Sequence, residues 1–403
     1  MYYNYLIQLP VMIKEDKIYM GKLPAIDINL HIDLLPKGVK LRLIAPLVLD
    51  LNEDYISLNE NMEFIPLEYE NSFREGLRVY RKNKKIINNA LLEGGVLHTG
   101  GGGYPYMISS CYTGIRDSQK YDIKKLFIMD CDLVGKLKAD QVDRSKNILK
   151  KIFWTGFMHY SKHLYEKSIG IGDTAFMLGE GVYQKYSKFS KNPFKIYQPI
   201  VGEDQIIEES ALEKKLNSID EDFDKIKFFY IGRLAYEKGL DTLINGFIGI
   251  SKEKYEINII GDGDEMDRLK KLAEDLDIDV KFWGWVPWGE QLFSIISKQH
   301  IIIIPHRTEE MTRTVFDSMA QGVGFITTKT IALCDVITKV KNGITFDIDD
   351  TNELNKHIKR VIEDTDLIKK WSMNSFNYIK THNNRSYIIE RIKKLEKDGF
   401  FKI

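Results

Sequence analysis

The feature that most constrains this chain is a regular alternation of short apolar segments with amphipathic ones from residue 226 onward. The segments IKFFYIG (226–232), EINIIG (256–261) and HIIIIP (300–305) have no polar alternation, which is typical of strands buried on both faces. Between the first two, apolar residues recur at helical spacing, at Leu240, Leu243, Ile244 and Phe247. Strands that alternate with helices predict a parallel sheet covered on both faces.

The first half of the chain shows the same alternation less regularly. Strand candidates lie at 5–10, 40–47, 62–67, 95–100, 125–130, 174–178 and 194–200, and helical stretches lie near 24–35, 72–91, 140–168 and 180–188. We therefore predict an α/β protein of two doubly wound domains that face a central cleft, at 1–200 and 201–384. The polar stretch 201–224 is the predicted linker, and a C-terminal helix at 385–403 can pack back on the first domain. Ligands of such folds bind at the carboxyl ends of the strands.

Composition excludes several classes of protein. With 403 residues, of which 43% are hydrophobic and 29% charged, the chain is globular rather than disordered. Its three cysteines lie far apart in sequence, so neither a zinc ribbon nor a disulfide scaffold is expected. A reduced, cytoplasmic setting fits such cysteine usage. The opening residues, MYYNYLIQLP, are predicted to form a strand rather than a signal peptide, and no apolar run approaches the length of a transmembrane helix.

Charge is balanced overall but not locally. Residues 1–200 contain 28 basic and 22 acidic residues, a balance of +6, and residues 201–403 contain 30 and 36, a balance of −6. This asymmetry suggests different partners for the two halves. Because the total charge is zero, a nucleic-acid partner is not expected.

Two loops that follow strands carry candidate ligand chemistry. GRLAYEKG (232–239) places Arg233 and Lys238 between a strand end and a helix start, where a diphosphate can be bound by the two cations and by backbone N–H groups. After the most apolar strand, Glu309 and Asp317 are eight residues apart, a spacing that puts one carboxylate in a loop and the other on a helix. Carboxylates so placed can bind vicinal hydroxyls of a sugar. Solvated cations and an acidic helix start remain the alternatives for these two segments.

A third loop, GDGDEM (261–266), begins like a dinucleotide-binding fingerprint. Its third glycine is replaced by Met266, and its acidic residues would repel a pyrophosphate. A nicotinamide or flavin site is therefore not expected.

Taken together, these motifs resemble the retaining GT-B glycosyltransferases of family 4, the glycosyl transferases group 1 type. The resemblance is strong over residues 226–330 and rests on GRLAYEKG, GDGDEMDRL, the segment Phe282-Trp283-Gly284, and the pair Glu309 and Asp317 followed by SMAQG. It implies a metal-independent hexosyltransferase without a cofactor. The implied donor is a nucleoside diphosphate sugar, a UDP-sugar first, and the implied acceptor is a carbohydrate or a lipid-linked glycan of polysaccharide assembly.

The resemblance also implies roles for individual residues. Arg233 and Lys238 would hold the donor diphosphate, Glu309 would act at the donor sugar, and Asp317 would hold the ribose. The remaining residues assigned to donor binding are Trp283 in the loop for the base, Thr312, Arg313 and, in the glycine-containing first loop of the N-terminal domain, Gly21. His98, which ends a strand and leads into a run of glycines at 100–103, is a candidate catalytic residue or a structural one.

The sequence departs from the family pattern around the two acids. The second acid is Asp317, one methylene shorter than glutamate, and Glu310 and Thr312 replace glycines that normally let the backbone approach the ligand. These changes keep open a non-catalytic GT-B module that binds a sugar nucleotide. A GT-B epimerase or phosphorylase is a further alternative, and D-x-D at Asp130 and Asp132 keeps open a metal-dependent transferase.

A basic stretch at 136–167 interleaves lysines with Ile152, Phe153, Trp154 and Phe157. Such a segment could lie on an anionic membrane, and the enzyme would then be peripheral to the inner face of that membrane. The alternative is a helix that packs on the core and exposes its lysines.

Overall fold

In the computed structural model the described residues are 1–51, 54–70, 72–101, 106–143, 145, 147–221, 225–309 and 311–401. Gly102, Gly103 and Glu310, named above, lie outside them. The chain divides into two compact units: Met1–Tyr197 with Tyr387–Ile403, and Gln198–Ser386. Each unit is an α/β structure built on its own sheet, as the alternation predicted.

Among its described residues, unit 1 has ten strands in one sheet, in the order β10-β9-β8-β7-β1-β4-β2-β3-β5, with β6 paired to β4. Strands β1, β4 and β6–β10 pair in parallel. The strands are β1 Tyr2–Leu6, β2 Val11–Lys14, β3 Lys17–Gly21, β4 Lys40–Val48, β5 Tyr55–Ser57, β6 Met62–Leu67, β7 Val96–Gly100, β8 Lys124–Met129, β9 Thr174–Leu178 and β10 Pro193–Ile196. The helices are α1 Lys22–Leu34, α2 Phe73–Leu92, α3 Ser110–Asp117, α4 Leu133–Leu137, α5 Ile148–Ile171 and α6 Gly179–Tyr186.

Unit 2 contains a six-stranded parallel sheet in the order β13-β12-β11-β14-β15-β16. The strands are β11 Ile226–Ile231, β12 Tyr255–Ile260, β13 Val280–Gly284, β14 Ile301–Ile304, β15 Gly324–Thr328 and β16 Gly343–Phe346. The helices are α7 Glu209–Glu221, α8 Leu240–Asn245, α9 Met266–Asp275, α10 Glu290–Ile296, α11 Thr314–Ala320, α12 Ile331–Val340, α13 Thr351–Glu363, α14 Thr365–Thr381 and α15 Asn384–Lys397, which continues into unit 1.

Helix α7 corrects the predicted linker. It lies within the polar stretch 201–224, yet it buries Leu212, Leu216 and Ile219 in the core of unit 2. The Nζ of Lys215 donates hydrogen bonds to the carbonyls of Gln299, Gln321 and Gly322 at 3.2, 2.7 and 2.8 Å. An apolar stripe at helical spacing inside a mostly charged segment is sufficient to make that segment part of the domain.

The C-terminal helix packs within unit 1. Ile388, Ile392 and Leu395 are buried in the same core cluster as α1 and β1, and Arg391 donates to the carbonyl of Tyr197 at 2.7 Å. No helix of the described ranges is long and apolar enough to cross a membrane.

Candidate functional site

The strand order of unit 2 determines where a ligand can bind. In chain order the sheet reads 3-2-1-4-5-6, so the connections run in opposite directions from β11 and from β14, which are neighbours in the sheet. In folds of this kind, ligands bind at the carboxyl ends of the strands where the connections reverse, a region that we call the crevice. The loops there are 232–239 after β11 and the segment after β14, described at 305–309 and 311–313, and both lie in the segments that the sequence marked as candidates.

Gly239 lets the two loops approach each other. Its φ is 65°, in the left-handed region, and a Cβ added there would lie 2.1 Å from the carbonyl oxygen of Pro305. Any other side chain would therefore be strained and would collide with the neighbouring loop. The glycine that ends the GRLAYEKG motif is thus required by the close packing of the two loops.

Arg307 fixes the geometry of the crevice. Its backbone N–H donates to the carbonyl of Glu237 at 2.9 Å, and Nη1 donates to the carbonyl of Tyr236 at 2.5 Å. Nε reaches Asp349 at 2.8 Å and Nη2 reaches Asp241 at 2.9 Å. The guanidinium also lies 4.3 Å from the ring centroid of Tyr236. With both carboxylates engaged, Arg307 holds the loops rather than offering its charge to a ligand.

Arg233 and Lys238, the predicted phosphate ligands, differ in exposure. The side chain of Arg233 is 69% exposed, and its Nη2 lies 2.5 Å from Glu237 Oε1. Lys238 is buried at the end of a short helical turn, Tyr236–Lys238. The structure therefore presents one solvent-facing cation and one buried cation on the same loop, with Glu237 as the present partner of the first.

His306 is a site residue that the sequence reasoning did not single out. It follows β14 and is buried, and among the described residues its Nδ1 has no hydrogen-bond partner. Burial, with a smaller effect of Lys238, lowers the pKa of His306 to about 3, so the imidazole is neutral at physiological pH. Its backbone is held by the Thr328 hydroxyl, which donates to the His306 carbonyl at 2.7 Å.

Glu309 is exposed, but one of its oxygens is already engaged. Oε2 accepts a hydrogen bond from the backbone N–H of Ile331 at 2.7 Å, at the start of α12. The described residues form no hydrogen bond with the other oxygen, Oε1. Nearby, the hydroxyls of Thr312 and Thr314 are 2.9 Å apart, and Arg313 is exposed at the residue before α11.

Asp317 is buried in α11, and its carboxyl is not directed to open solvent. The indole Nε1 of Trp288 donates to Oδ1 at 3.2 Å. Burial raises the pKa of Asp317 to about 6, although the Trp288 hydrogen bond and the charge of Arg313 act in the opposite direction. A ligand hydroxyl at this carboxyl would therefore meet Oδ2, beside an oxygen already bound by tryptophan.

Trp283 lies elsewhere along the sheet. Its Nε1 donates to Asn258 Oδ1, in the interior of β12, at 2.8 Å. The Nζ of Lys281 lies 3.7 Å from its ring centroid. Trp288, not Trp283, is the tryptophan in contact with Asp317. The role of Trp283 at the base stays a prediction, and the tryptophan that reaches the acid comes five residues later.

The GDGDEM loop is hydrogen-bonded to the loop 232–239. The N–H of Leu234 donates to the carbonyl of Asp262 at 2.8 Å, and the N–H of Glu265 donates to the carbonyl of Leu234 at 3.1 Å.

The site residues assigned to unit 1 have their own surroundings. Gly21 ends β3 and immediately precedes α1. His98 is buried on β7, where its Nδ1 lies 2.8 Å from the Tyr3 hydroxyl and its ring stacks on Tyr5 with centroids 4.0 Å apart. Burial holds the pKa of His98 well below its usual range, with a smaller effect of His31 in the same direction. The catalytic role of His98 stays a prediction, and this packing is that of a core histidine.

Asp132 of the D-x-D triplet is engaged by protein groups. It accepts hydrogen bonds from the N–H of Gly135 at 3.0 Å, from the Tyr186 hydroxyl at 2.5 Å and from Lys185. Both oxygens of this carboxylate therefore serve the start of α4 and the contact with α6. The described residues contain no group of three potential metal ligands.

The chain is similar to known glycosyltransferases. Residues 213–378 match the family model of glycosyl transferases group 1. An uncharacterized glycosyltransferase of Methanocaldococcus jannaschii is 27% identical over 193 residues, 45% of this chain and 49% of that protein. LpsE of Rhizobium meliloti, a lipopolysaccharide core biosynthesis glycosyltransferase, is 26% identical over 139 residues, 34% and 39% of the two chains. The chain spans about half or less of the length of the curated relatives it matches.

Solved structures extend the likeness to the whole chain. Sucrose-phosphate synthase from Thermosynechococcus elongatus superposes with a TM-score of 0.72 at 16% identity, over 99% of both chains. Anabaena HepE in complex with UDP superposes with a TM-score of 0.67 at 13% identity, over 98% of this chain and 100% of that one. The predicted GT-B fold is thereby confirmed.

Proposed function

We propose that this chain, a group 1 glycosyltransferase with the GT-B fold, transfers a hexose-type sugar from a UDP-sugar to a carbohydrate or lipid-linked acceptor, with retention of the anomeric configuration. The observation that carries the proposal is the loop at the carboxyl end of β11, which contains both the exposed guanidinium of Arg233 and the buried Lys238. HepE, a protein of the same fold, binds UDP. LpsE, a relative in sequence, acts in lipopolysaccharide core biosynthesis, which supports a glycan acceptor.

Arg233 and Lys238 have the chemistry to bind a leaving diphosphate. Glu237 is the partner of Arg233, and a phosphate can replace it because guanidinium–phosphate pairs form two parallel hydrogen bonds. As the bond between sugar and diphosphate breaks, negative charge grows on the phosphate oxygens. Fixed cations in the crevice stabilise that charge without reorganising.

Asp317, Trp288 and Glu309 would bind the rest of the donor. Asp317 lies beside an indole ring, a combination suited to ribose hydroxyls and a flat base. Glu309 Oε1 is available for a sugar hydroxyl while Oε2 remains on the Ile331 N–H, and this backbone contact would orient the carboxylate. Transfer by these residues needs no divalent cation, because side-chain cations meet the phosphate charge.

A non-catalytic sugar-nucleotide binding module is the second candidate function. It is favoured by the departures from the family pattern at Glu310, Thr312 and Asp317. The two functions differ in turnover, not in donor binding.

The test is calorimetry of the full chain with UDP and a panel of UDP-sugars, followed by assays of hydrolysis and transfer for each sugar that binds. Arg233→Ala should weaken UDP binding roughly 10- to 150-fold, as expected for the loss of a charge-assisted contact. Arg360→Ala, which removes an exposed arginine on α13 of the same unit, is the matched control. Unchanged UDP affinity in Arg233→Ala would refute the assignment of Arg233 as a ligand of the diphosphate. Binding of a UDP-sugar without any turnover would favour the binding module.

A further inference from the structure

The first two turns of α5 expose large apolar side chains. Ile148, Leu149, Ile152 and Phe153 are 74%, 74%, 65% and 61% exposed, respectively. The N-terminus of the helix is capped, because the Asn147 side chain accepts hydrogen bonds from the N–H groups of Leu149 and Lys150 at 2.9 and 3.1 Å. These residues thus form a regular helical surface, which we call the α5 patch.

The second half of α5 behaves differently. Leu164, Tyr165 and Ile169 are buried in the core of unit 1. The expectation of a core-packing helix therefore explains only the C-terminal half. Nothing in that explanation accounts for four large apolar residues on the N-terminal half, where a purely structural helix would carry polar ones.

The α5 patch is one face of the helix, flanked by cations. At 3.6 residues per turn, Ile148, Ile152 and Gly156 follow one line along the helix, and Leu149, Phe153 and the exposed Tyr160 follow the adjacent line. Lys150 and Lys151 lie on either side of this face, and both are exposed. An apolar face bordered by lysines is the pattern of a helix that lies in a membrane interface.

The helices of this part of unit 1 carry a net positive charge. Helix α5 contains four lysines and one acidic residue, Glu166, near its buried end. Helix α2 contacts α3, which contacts α5, so the three helices form one layer. Helix α2 adds six basic residues against one acidic residue and exposes Phe73 and Leu77. The basic balance of the first half of the chain is therefore concentrated on the helices of this layer.

We propose that the α5 patch docks unit 1 on an anionic lipid bilayer, with the apolar side chains at the level of the acyl chains and Lys150 and Lys151 at the headgroups. A second copy of the chain fits this face less well. A two-fold dimer would bring each patch against itself and would place lysines opposite lysines with no acidic residue between positions 147 and 165 of either copy. An anionic membrane supplies both the apolar phase and the opposite charge.

The test is vesicle co-sedimentation of the full chain, with vesicles of phosphatidylcholine alone and of equal parts phosphatidylcholine and phosphatidylglycerol, at low and high salt. Neither donor nor acceptor is present, so the result does not depend on glycosyl transfer. We expect binding to the anionic vesicles that weakens as salt screens the lysines. Lys150→Gln with Lys151→Gln should lower the partition coefficient roughly 10- to 30-fold. Ile152→Ser with Phe153→Ser should lower it about 30-fold or more.

Matched controls come from the β2–β3 hairpin and the end of β4. Ile13→Ser with Leu49→Ser removes exposed apolar residues, and Lys14→Gln with Lys17→Gln removes exposed lysines; both pairs should bind vesicles as the wild type does. The proposal is overturned if the α5 variants bind as well as wild type, or if the controls lose binding equally. A dimer of the wild type is the remaining outcome that overturns the proposal. In that case sedimentation velocity shows a dimer, the Ile152→Ser with Phe153→Ser variant is monomeric, and the wild type binds neither kind of vesicle.

Discussion

Replacing Asp317 by asparagine should abolish the loss of stability that this carboxyl causes in the wild-type protein as pH rises from 5 to 8, and it should weaken binding of the donor. The carboxyl is buried, and burial raises its pKa from the ordinary 3.8 to about 6. A difference of this size corresponds to about 3 kcal/mol between the protonated and ionised forms. Asparagine has the same shape and keeps an oxygen for the Trp288 N–H, but it carries no charge.

The sign of the pH dependence follows from the raised pKa. At pH values below the pKa that Asp317 has in the unfolded chain, its carboxyl is protonated in both states and does not change the free energy of unfolding. As pH rises toward 6, the unfolded chain loses the proton and the folded chain retains it, so the folded state is progressively penalised. The penalty should be about 1.5 kcal/mol at pH 5 and about 3 kcal/mol at pH 8. Between these two values of pH, the wild type should therefore lose about 1.5 kcal/mol relative to Asp317→Asn.

Urea unfolding at several values of pH, followed by tryptophan fluorescence, measures this difference. Four of the five tryptophans lie in unit 2, where Asp317 lies. The buried amide of the variant can lack an acceptor and cost about 1–3 kcal/mol, but that offset is the same at every pH. The slope of the difference is therefore the diagnostic quantity. Asp275→Asn, which removes an exposed carboxylate of α9, is the control for loss of a charge. Parallel stability curves for wild type and Asp317→Asn would refute the reasoning.

Three further predictions concern the same site. Glu309→Gln should lower the rate of transfer and the discrimination between sugars but leave the affinity for UDP nearly intact. Asp317→Asn should lower the affinities for UDP and for the UDP-sugar alike, by roughly 10-fold or more. Equal losses of UDP affinity in the two variants, measured by calorimetry, would contradict these assignments. Arg307→Gln should lower both UDP affinity and melting temperature, because Asp241 and Asp349 lose their partner and the loops loosen; a normal melting temperature would contradict this. Transfer should persist in EDTA, and a requirement for Mg²⁺ or Mn²⁺ in the activity assay would instead favour the metal-dependent alternative.

The strands of unit 2 could be predicted nearly to the residue. The segment 226–232 became Ile226–Ile231 and the segment 256–261 became Tyr255–Ile260. Parallel strands covered on both faces are apolar at most positions, so their bounds are visible as the ends of apolar runs. The same physics gave the loops at the carboxyl ends, and with them the two segments of the site.

The start of unit 1 was predicted less well. The expected strand at 5–10 ends at Leu6, and a hairpin of β2 and β3 follows. Its turn places Glu15 and Asp16 at φ of 51° and 59°, where glycine or asparagine would be the usual signal. The helix expected at 140–168 begins only at Ile148, because Asn147 caps it. That asparagine, directly before an apolar run, was a readable start signal.

The two arginines of the crevice explain why the site could be located but not completed from the sequence. Arg233 belongs to a contiguous motif, so its role could be inferred locally, and its exposure fits a residue that exchanges Glu237 for a ligand. Arg307 gains its role only from Asp241 and Asp349, which lie 66 and 42 residues away along the chain. A cation with two carboxylate partners binds a phosphate only by leaving both of them. Arg307 therefore fixes the loops in place, and the more exposed Arg233 is left to meet the substrate.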